Sequence, residues 1–299
     1  MKICKCFVLR DRALRSRLLD RAAAILFCLA AAAMVFALAA VCTYILRAGL
    51  PAIARIGLRS FIFGTHWKPS GGIYGIAPML VGSAVISLFA LGIGVVCGLC
   101  TAVWLVWYCP RALYDICRSA LELLAGIPSV VYGFFGMSAL SPLMCRLFGN
   151  GFGIPTASLL LGIMLVPTIA SLAEASLRAL PSSVFDGARA LGASRERAVF
   201  FAVIPSARRS IGSALMLAAG RAVGETTAVM MVAGNQPRMP HSLTDGIRTL
   251  TVAVALEMGY ATDAHRAVLC SVSAILLCIS LTLGLIFSTL SDGGDTLAQ

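Results

Sequence analysis

Arg221 and Glu225 stand one helical turn apart in GRAVGETTAVMMVAGN (220–235), a stretch otherwise composed like a membrane-crossing helix. A charge at the centre of a bilayer costs about 2.5–3.5 kcal/mol on insertion scales, so a pair of opposite sign needs a reason. On a continuous helix, residues i and i+4 share a face and can pair, which lowers that cost. Ala218, Ala219, Gly220 and Gly224 beside them are small enough to let another helix come close. Two roles fit: an ion pair that locks helices together, or an arginine that faces a polar path through the membrane. In the second, the guanidinium offers a rigid fork of donors that matches an oxyanion. Glu225 then holds it in place, or repels it when the anion leaves. Ionisable residues at membrane depth are functional by default. Thr226 and Thr227 follow, with hydroxyls that either add donors or bond back to their own helix.

Other elements must carry these residues to that depth. The chain has 299 residues, 59% hydrophobic and 12% charged, whereas soluble domains carry about 25% charged residues. A water-soluble protein of this composition would expose large apolar patches. The sequence therefore reads as an all-α polytopic membrane protein. Runs long enough to span, about 20 residues being needed, fall at 22–46, 78–106, 119–140, 156–178, 211–233 and 267–290. They predict about six transmembrane helices. In the fifth, Arg221 comes ten residues after Ile211, about 15 Å along a helix and near the midplane of a core about 30 Å thick. Pro128 falls inside the third, where a kink is tolerated if protein surrounds it. The first run is too long for the apolar region of a signal peptide and reads as a retained helix.

A net charge of +11 would point to nucleic acid in a soluble protein; here it reads as loop arginines that set orientation. With the N-terminus inside, fifteen lysines and arginines lie on the cytoplasmic side, eight outside, and Arg221 in the membrane. This predicts a basic cytoplasmic N-terminus (1–21), a transmembrane domain (22–290) and a short cytoplasmic tail (291–299). The segment 47–77 becomes an outer loop. Arg248 and Glu257 fall at the outer mouth, where they either meet a partner or sit in a solvated loop. Of eleven cysteines, Cys28, Cys42, Cys97, Cys100, Cys270 and Cys278 lie in apolar runs and pack as small hydrophobes. Cys97 and Cys100 have no second pair or nearby histidine, and His66, His241 and His265 stand apart, so no metal site is predicted. There is no HExxH or GxSxG, and no catalytic residue is assigned.

Between the fourth and fifth runs lies RALPSSVFDGARALGASRERAVFFAVIPSARRSI (178–211). Ser182 or Ser183 is placed to N-cap a helix that carries Asp186 in its first turn. Ala188, Leu191 and Val199 supply apolar faces, Gly192 separates two short helices, and Pro205 closes the unit. Such a pair is either a docking surface for another protein or an interfacial segment touching anionic headgroups. The spacing resembles the EAA loop of ABC-transporter permeases, E-A-A-x3-G-x9-I-x-L-P. Asp186, Gly187 and Ala188 fill the first three places, Gly192 the glycine, and Ala202, Ile204 and Pro205 the end. Asp replaces Glu, Gly187 replaces the first Ala, and Ala202 replaces the Ile.

AGIPSVVYGFFG (125–136), GRAVGETTAVMMVAGN (220–235) and IRTLTVAVALEMGYA (247–261) are similar to the phosphate-specific, PstC-type permease subunits of such importers. The resemblance runs from about residue 51 to 290. It implies the MetI-like permease fold, with the loop at about 180–208 coupling to an ATPase. The chain would form half of a pore in a bacterial inner membrane, surrounded by membrane lipid, beside a PstA-like second permease subunit. An ATP-binding subunit dimer would bind beneath and use ATP and Mg, and a periplasmic phosphate-binding protein would deliver phosphate ion from above. Arg221, Glu225 and Thr226 would be the translocation residues. The chain has no GxxxxGK[ST], so energy must come from that partner. The same fold importing sulfate or molybdate is the alternative, and then a passive anion channel, for which a pore arginine also fits. A channel needs no ATPase dock.

Overall fold

In lipid a backbone must satisfy its own hydrogen bonds, and the long apolar runs do so as helices. The computed structural model describes residues 2–292. It opens with α1 (Lys2–Ile56) and α2 (Leu58–Phe63), then a hairpin of β1 (Trp67–Lys68) and β2 (Ile73–Tyr74). The two strands are antiparallel, with Trp67 opposite Tyr74. α3 (Ala77–Val103) continues into a π-helical turn, Trp104–Tyr108. α4 (Arg111–Gly126) and α5 (Ser129–Phe135) follow, and α5 runs through a second π-turn into α6 (Ser141–Phe148). α7 (Ile154–Arg178) precedes the short helices α8 (Ser182–Ala190), α9 (Arg195–Ala198) and α10 (Ile204–Ser206). The chain ends with α11 (Arg208–Gly224), α12 (Thr227–Val232), α13 (Leu250–Glu257) and α14 (Asp263–Asp292). The predicted tail at 291–299 lies, beyond Asp292, outside the described residues.

Among the described residues, five helical stretches are long and apolar enough to cross a membrane: Ala23–Ile56, Ala77–Tyr108, Ser129–Phe148, Ile154–Arg178 and Asp263–Ile286. Two of the six predicted spans need correction. The third is not 119–140. Ile127 and Pro128 are both extended (ψ 127° and 142°), because a proline ring disfavours the helical region for the residue before it. The break ends α4 and starts a span at Ser129. α4 is amphipathic instead, with Arg111, Asp115, Arg118 and Glu122 spaced along one face. The fifth predicted span, 211–233, is interrupted between α11 and α12. The segment 47–77, predicted as a loop, is largely helix and hairpin. α1 passes through Pro51 because Ala52, Ile53 and Ile56 pack into an apolar cluster with Phe61, Trp67 and Leu269.

Two helix pairs set the frame. α3 lies against α7, and α1 against α14. Glycine permits both contacts. A Cβ on Gly98 would stand 2.8 Å from the Ile169 Cβ, one on Gly94 2.9 Å from the Leu165 Cβ, and one on Gly162 2.9 Å from the Ile93 Cβ. On α1, a Cβ at Gly49 would meet the Cys270 backbone at 2.9 Å, and Ser271 Oγ donates to the Gly49 carbonyl at 2.7 Å. The central core gathers Ile86, Leu160, Leu161, Leu165, Ile169 and Val232. A separate cluster, with Ala102, Ala173, Leu177, Val203 and Ile211, lies beneath the short helices α8–α10. Gly98→Ala is expected to lower the unfolding free energy by about 1–3 kcal/mol through overpacking. Gly92→Ala, on the same helix but with nothing within 4 Å of the added carbon, should not. Thermal unfolding of the purified chain in detergent compares the two, and equal stabilities would remove glycine packing as the basis of the α3–α7 contact.

Candidate functional site

α11 stops three residues past Arg221. Glu225 is extended (φ −68°, ψ 122°), and Thr226 leads into α12. The cause is local. Gly220 and Gly224 weaken the last turns, and Thr226 and Thr227 are β-branched. The Glu225 carboxylate accepts the backbone N–H of Ala228 at 3.3 Å, which competes with continuing the helix. Thr226 Oγ1 donates to the Gly224 carbonyl at 3.2 Å, and Thr251 Oγ1 of α13 donates to the Glu225 carbonyl at 3.4 Å.

With the helix interrupted, Arg221 and Glu225 no longer share a face, and the predicted pair does not form. Arg221 Nη1 instead donates to Thr168 Oγ1 of α7 at 2.7 Å. Of the small residues read from the sequence as points of close approach, Ala218 is buried, as is Ala222, while Gly220 and Gly224 face open space. Thr168 carries no sequence signal, since it sits 53 positions from Arg221 in an apolar run. Arg221 is exposed in the single chain. A guanidinium has five N–H donors, so the Thr168 contact leaves several for an anion.

The loop predicted as a docking unit is two short helices joined at Gly192, with one correction at its start. Pro181, not Ser182 or Ser183, holds the N-cap position of α8 and gives no side-chain cap. Asp186 falls past the first turn, so the helix-dipole argument for it lapses. The capping lies in α9: Ser194 Oγ accepts the N–H of Arg197 at 3.3 Å. Glu196 is held below the usual carboxylate range by its own backbone N–H, then by the Ser194 hydroxyl and the charges of Arg195 and Arg189. Gly192 adopts φ +89°, a left-handed turn that favours glycine. Asp186, Gly187 and Pro205 are exposed, and Ala188, Ala202 and Ile204 half-buried. Leu191 is 92% exposed and Phe201 81%, while Val199 is fully buried.

At the other end of the bundle, Glu257 is no surface residue. It is 4% exposed and has three partners. Trp67 Nε1 donates to both carboxylate oxygens at 3.1 Å. Arg248 Nη1 reaches Oε1 at 2.5 Å, and His265 Nε2 lies 2.9 Å from Oε2. Arg248 Nε also donates to the Asn235 carbonyl at 3.0 Å. The solvated-loop reading of Arg248 and Glu257 is therefore replaced by a buried hub tying β1, α13, α14 and the chain after α12. Trp67 and His265 were not assigned from the sequence. A second buried carboxylate was also missed: Glu174 of α7 accepts from Tyr114 Oη at 2.5 Å and from Arg178 Nε at 2.8 Å. Among the described residues no group of three or more His, Cys, Asp or Glu could hold a metal ion.

The family described as binding-protein-dependent transport system inner membrane component matches residues 90–292, from the middle of α3 to the end of α14. This chain belongs to that family. It is a membrane permease, a transport subunit. A probable ABC transporter permease protein of Bacillus subtilis, YqgH, is 32% identical over 238 residues, 78% of this chain and 77% of its own. The phosphate transport system permease protein PstC of Haemophilus influenzae is 30% identical over 260 residues, covering 80% and 82%. PstC of Xylella fastidiosa (strain Temecula1) is 31% identical over 242 residues, covering 74% and 75%. Among solved structures, a chain of the MetNI methionine ABC transporter in inward-facing conformations superimposes with a TM-score of 0.57 at 18% identity. It aligns with 75% of this chain and 99% of its own, which establishes the permease fold.

The matched region includes the loop of α8–α10, Arg221, Arg248, Glu257 and His265, and leaves out Trp67. Removing Glu257 would strand Arg248, whose side chain is 14% exposed. Glu257→Ala is expected to lower the unfolding free energy by about 3–5 kcal/mol, as when a buried pair loses one partner. Glu257→Gln keeps an acceptor for Trp67 and Arg248 and should lose less. Thermal unfolding in detergent reads both, and a mild effect of Glu257→Ala would mean that water reaches the hub.

Proposed function

We propose that this chain is the permease subunit of an ATP-driven phosphate importer, lying in a bacterial inner membrane with both termini cytoplasmic. The observation that carries this function is the Arg221 guanidinium, placed near the end of α11, exposed in the single chain and held from one side by Thr168 of α7. A charged fork so placed fits an oxyanion. Phosphate is chosen among oxyanions because relatives at 30–32% identity are named phosphate transport permeases. Arg221, Glu225 and Thr226 line the path, and the break between α11 and α12 puts polar backbone beside it, as suits a helix next to a cavity. A PstA-like second permease subunit faces Arg221, Gly220 and Gly224 and closes the pore. An ATPase dimer binds the 180–208 loop around Leu191 and Phe201, and it, not this chain, uses ATP and Mg. A periplasmic phosphate-binding protein docks at the opposite end, where the Glu257 hub stiffens the outer mouth. The excess of fifteen basic residues against eight supports this orientation.

Uptake of radiolabelled phosphate by the complete transporter in proteoliposomes tests the assignment, with sulfate and molybdate as competitors. Phosphate alone should compete fully; stronger competition by sulfate overturns phosphate as the substrate. Arg221→Gln should assemble normally and reduce uptake by about ten- to a hundred-fold, the loss of one charge-assisted hydrogen bond. If that variant is degraded instead, the arginine is structural. Gly192→Val forces a branched side chain into a left-handed turn at a cost of about 1–2 kcal/mol and should bend the α8–α9 elbow. Its expected signature is an inserted chain with ATP hydrolysis but reduced uptake; unchanged uptake would remove Gly192 from coupling.

A further inference from the structure

Three contacts converge on the last turn of α3. The Trp107 ring packs on Phe185 of α8, with centroids 4.4 Å apart and planes at 31°. Arg195 of α9 donates from Nη2 to the Trp107 carbonyl. The same guanidinium lies 5.2 Å from the centre of the Tyr108 ring, within cation–π range. The local backbone makes this possible. After the π-turn, Cys109 is extended (φ −69°, ψ 128°) and Pro110 has no N–H, so the last carbonyls of α3 lack helical partners. Arg195 supplies a donor there. Both short helices of the loop are therefore gripped by one turn of a helix far away in sequence.

The loop is covalently joined to α7 and α11 only. The contacts at Trp107 and Tyr108 add a third tether, to α3. Because Gly94 and Gly98 press α3 against Leu165 and Ile169, α3 and α7 form one body. Thr168, which holds Arg221, stands between those two α7 residues in sequence. A contiguous chain of packed groups thus runs from the loop to the guanidinium.

We propose that the Phe185–Trp107 stack and the Arg195 contacts form a clasp that makes the α3–α7 pair follow the docking loop. Trp107 and Arg195 are then positioning residues for transport, acting through Thr168 and Arg221. The clasp rests on the loop being the ATPase dock.

The test uses the complete transporter in proteoliposomes, with ATP hydrolysis and phosphate uptake measured on the same preparation. Trp107→Leu should keep ATP hydrolysis and lower uptake per ATP by roughly three- to thirty-fold, the span expected for loss of a coupling contact. Trp107→Phe, which can still stack on Phe185, should restore most of the ratio. Arg195→Gln should lower it as Trp107→Leu does. An unchanged ratio in both variants overturns the clasp, and so does a parallel fall of both activities, which would mark a folding role. If Trp107→Leu is lost from the membrane, Arg195→Gln decides alone, since it removes an exposed side chain and no ring. A wild-type transporter that shows no ATP-driven phosphate uptake sinks the proposed function; normal wild-type uptake with unaffected variants sinks only the clasp.

Discussion

The contact between α3 and α7 is the constraint on which the other features depend. Between helices in lipid there is little hydrophobic driving force, because the acyl chains are as apolar as leucine. Association rests on packing, and packing rests on how near two backbones can come. Gly94 and Gly98 on one helix and Gly162 on the other leave room for Leu165, Ile169 and Ile93. The resulting pair is the centre of the main core. It fixes the depth and direction of Thr168, and Thr168 in turn positions Arg221. It also gives the turn at Trp104–Tyr108 a rigid base, so that a loop joined covalently to other helices can be gripped there.

Much of this was legible in the sequence, and what was legible was local. Length and hydropathy marked the apolar runs. The spacing of Gly192 and Pro205 marked the two short helices of the loop, and the left-handed turn at Gly192 shows why that position takes a glycine. The misreadings came from treating apolar composition as helix continuity. Apart from Arg221 and Glu225 the run 211–233 is largely apolar, yet Glu225 is extended, because its side chain bonds a backbone N–H that a continuous helix would use. Ile127 is likewise apolar and non-helical, and for it the following proline was a sufficient signal.

Long-range partners left no trace. Trp67 meets Glu257 across 190 positions and Ser83 meets Leu250 across 167. Each of these residues taken alone reads as an interfacial aromatic, an exposed acid or a small helix filler. His265 and Glu257, eight apart, are bridged by the turn between α13 and α14, whose path no periodicity reveals. The Trp107–Phe185 contact is of the same kind: one aromatic residue ends an apolar span and the other lies in a short loop helix 78 positions on, with rings 4.4 Å apart.

The charged residues of the bundle differ in how they are partnered, and the proposed anion site at Arg221 rests on that difference. Burying an ion is tolerable when partners and hydrogen bonds replace its water. Glu257 meets that condition with an indole, a guanidinium and an imidazole, and Glu174 meets it with a phenol and Arg178. Both carboxylates are nearly inaccessible, which suits structural roles and leaves no room for cargo. Arg221 is accessible, it donates to a neutral hydroxyl, and the carboxylate that the sequence offered as its partner is engaged with the backbone of α12. An arginine neutralised by Glu225 would have to break an ion pair before it could take an anion. The break in the helix keeps that carboxylate occupied, so the guanidinium stays open to a ligand while Thr168 limits its motion. In the proposed function, the interruption that made the fifth span hard to predict is what leaves its arginine open to an anion.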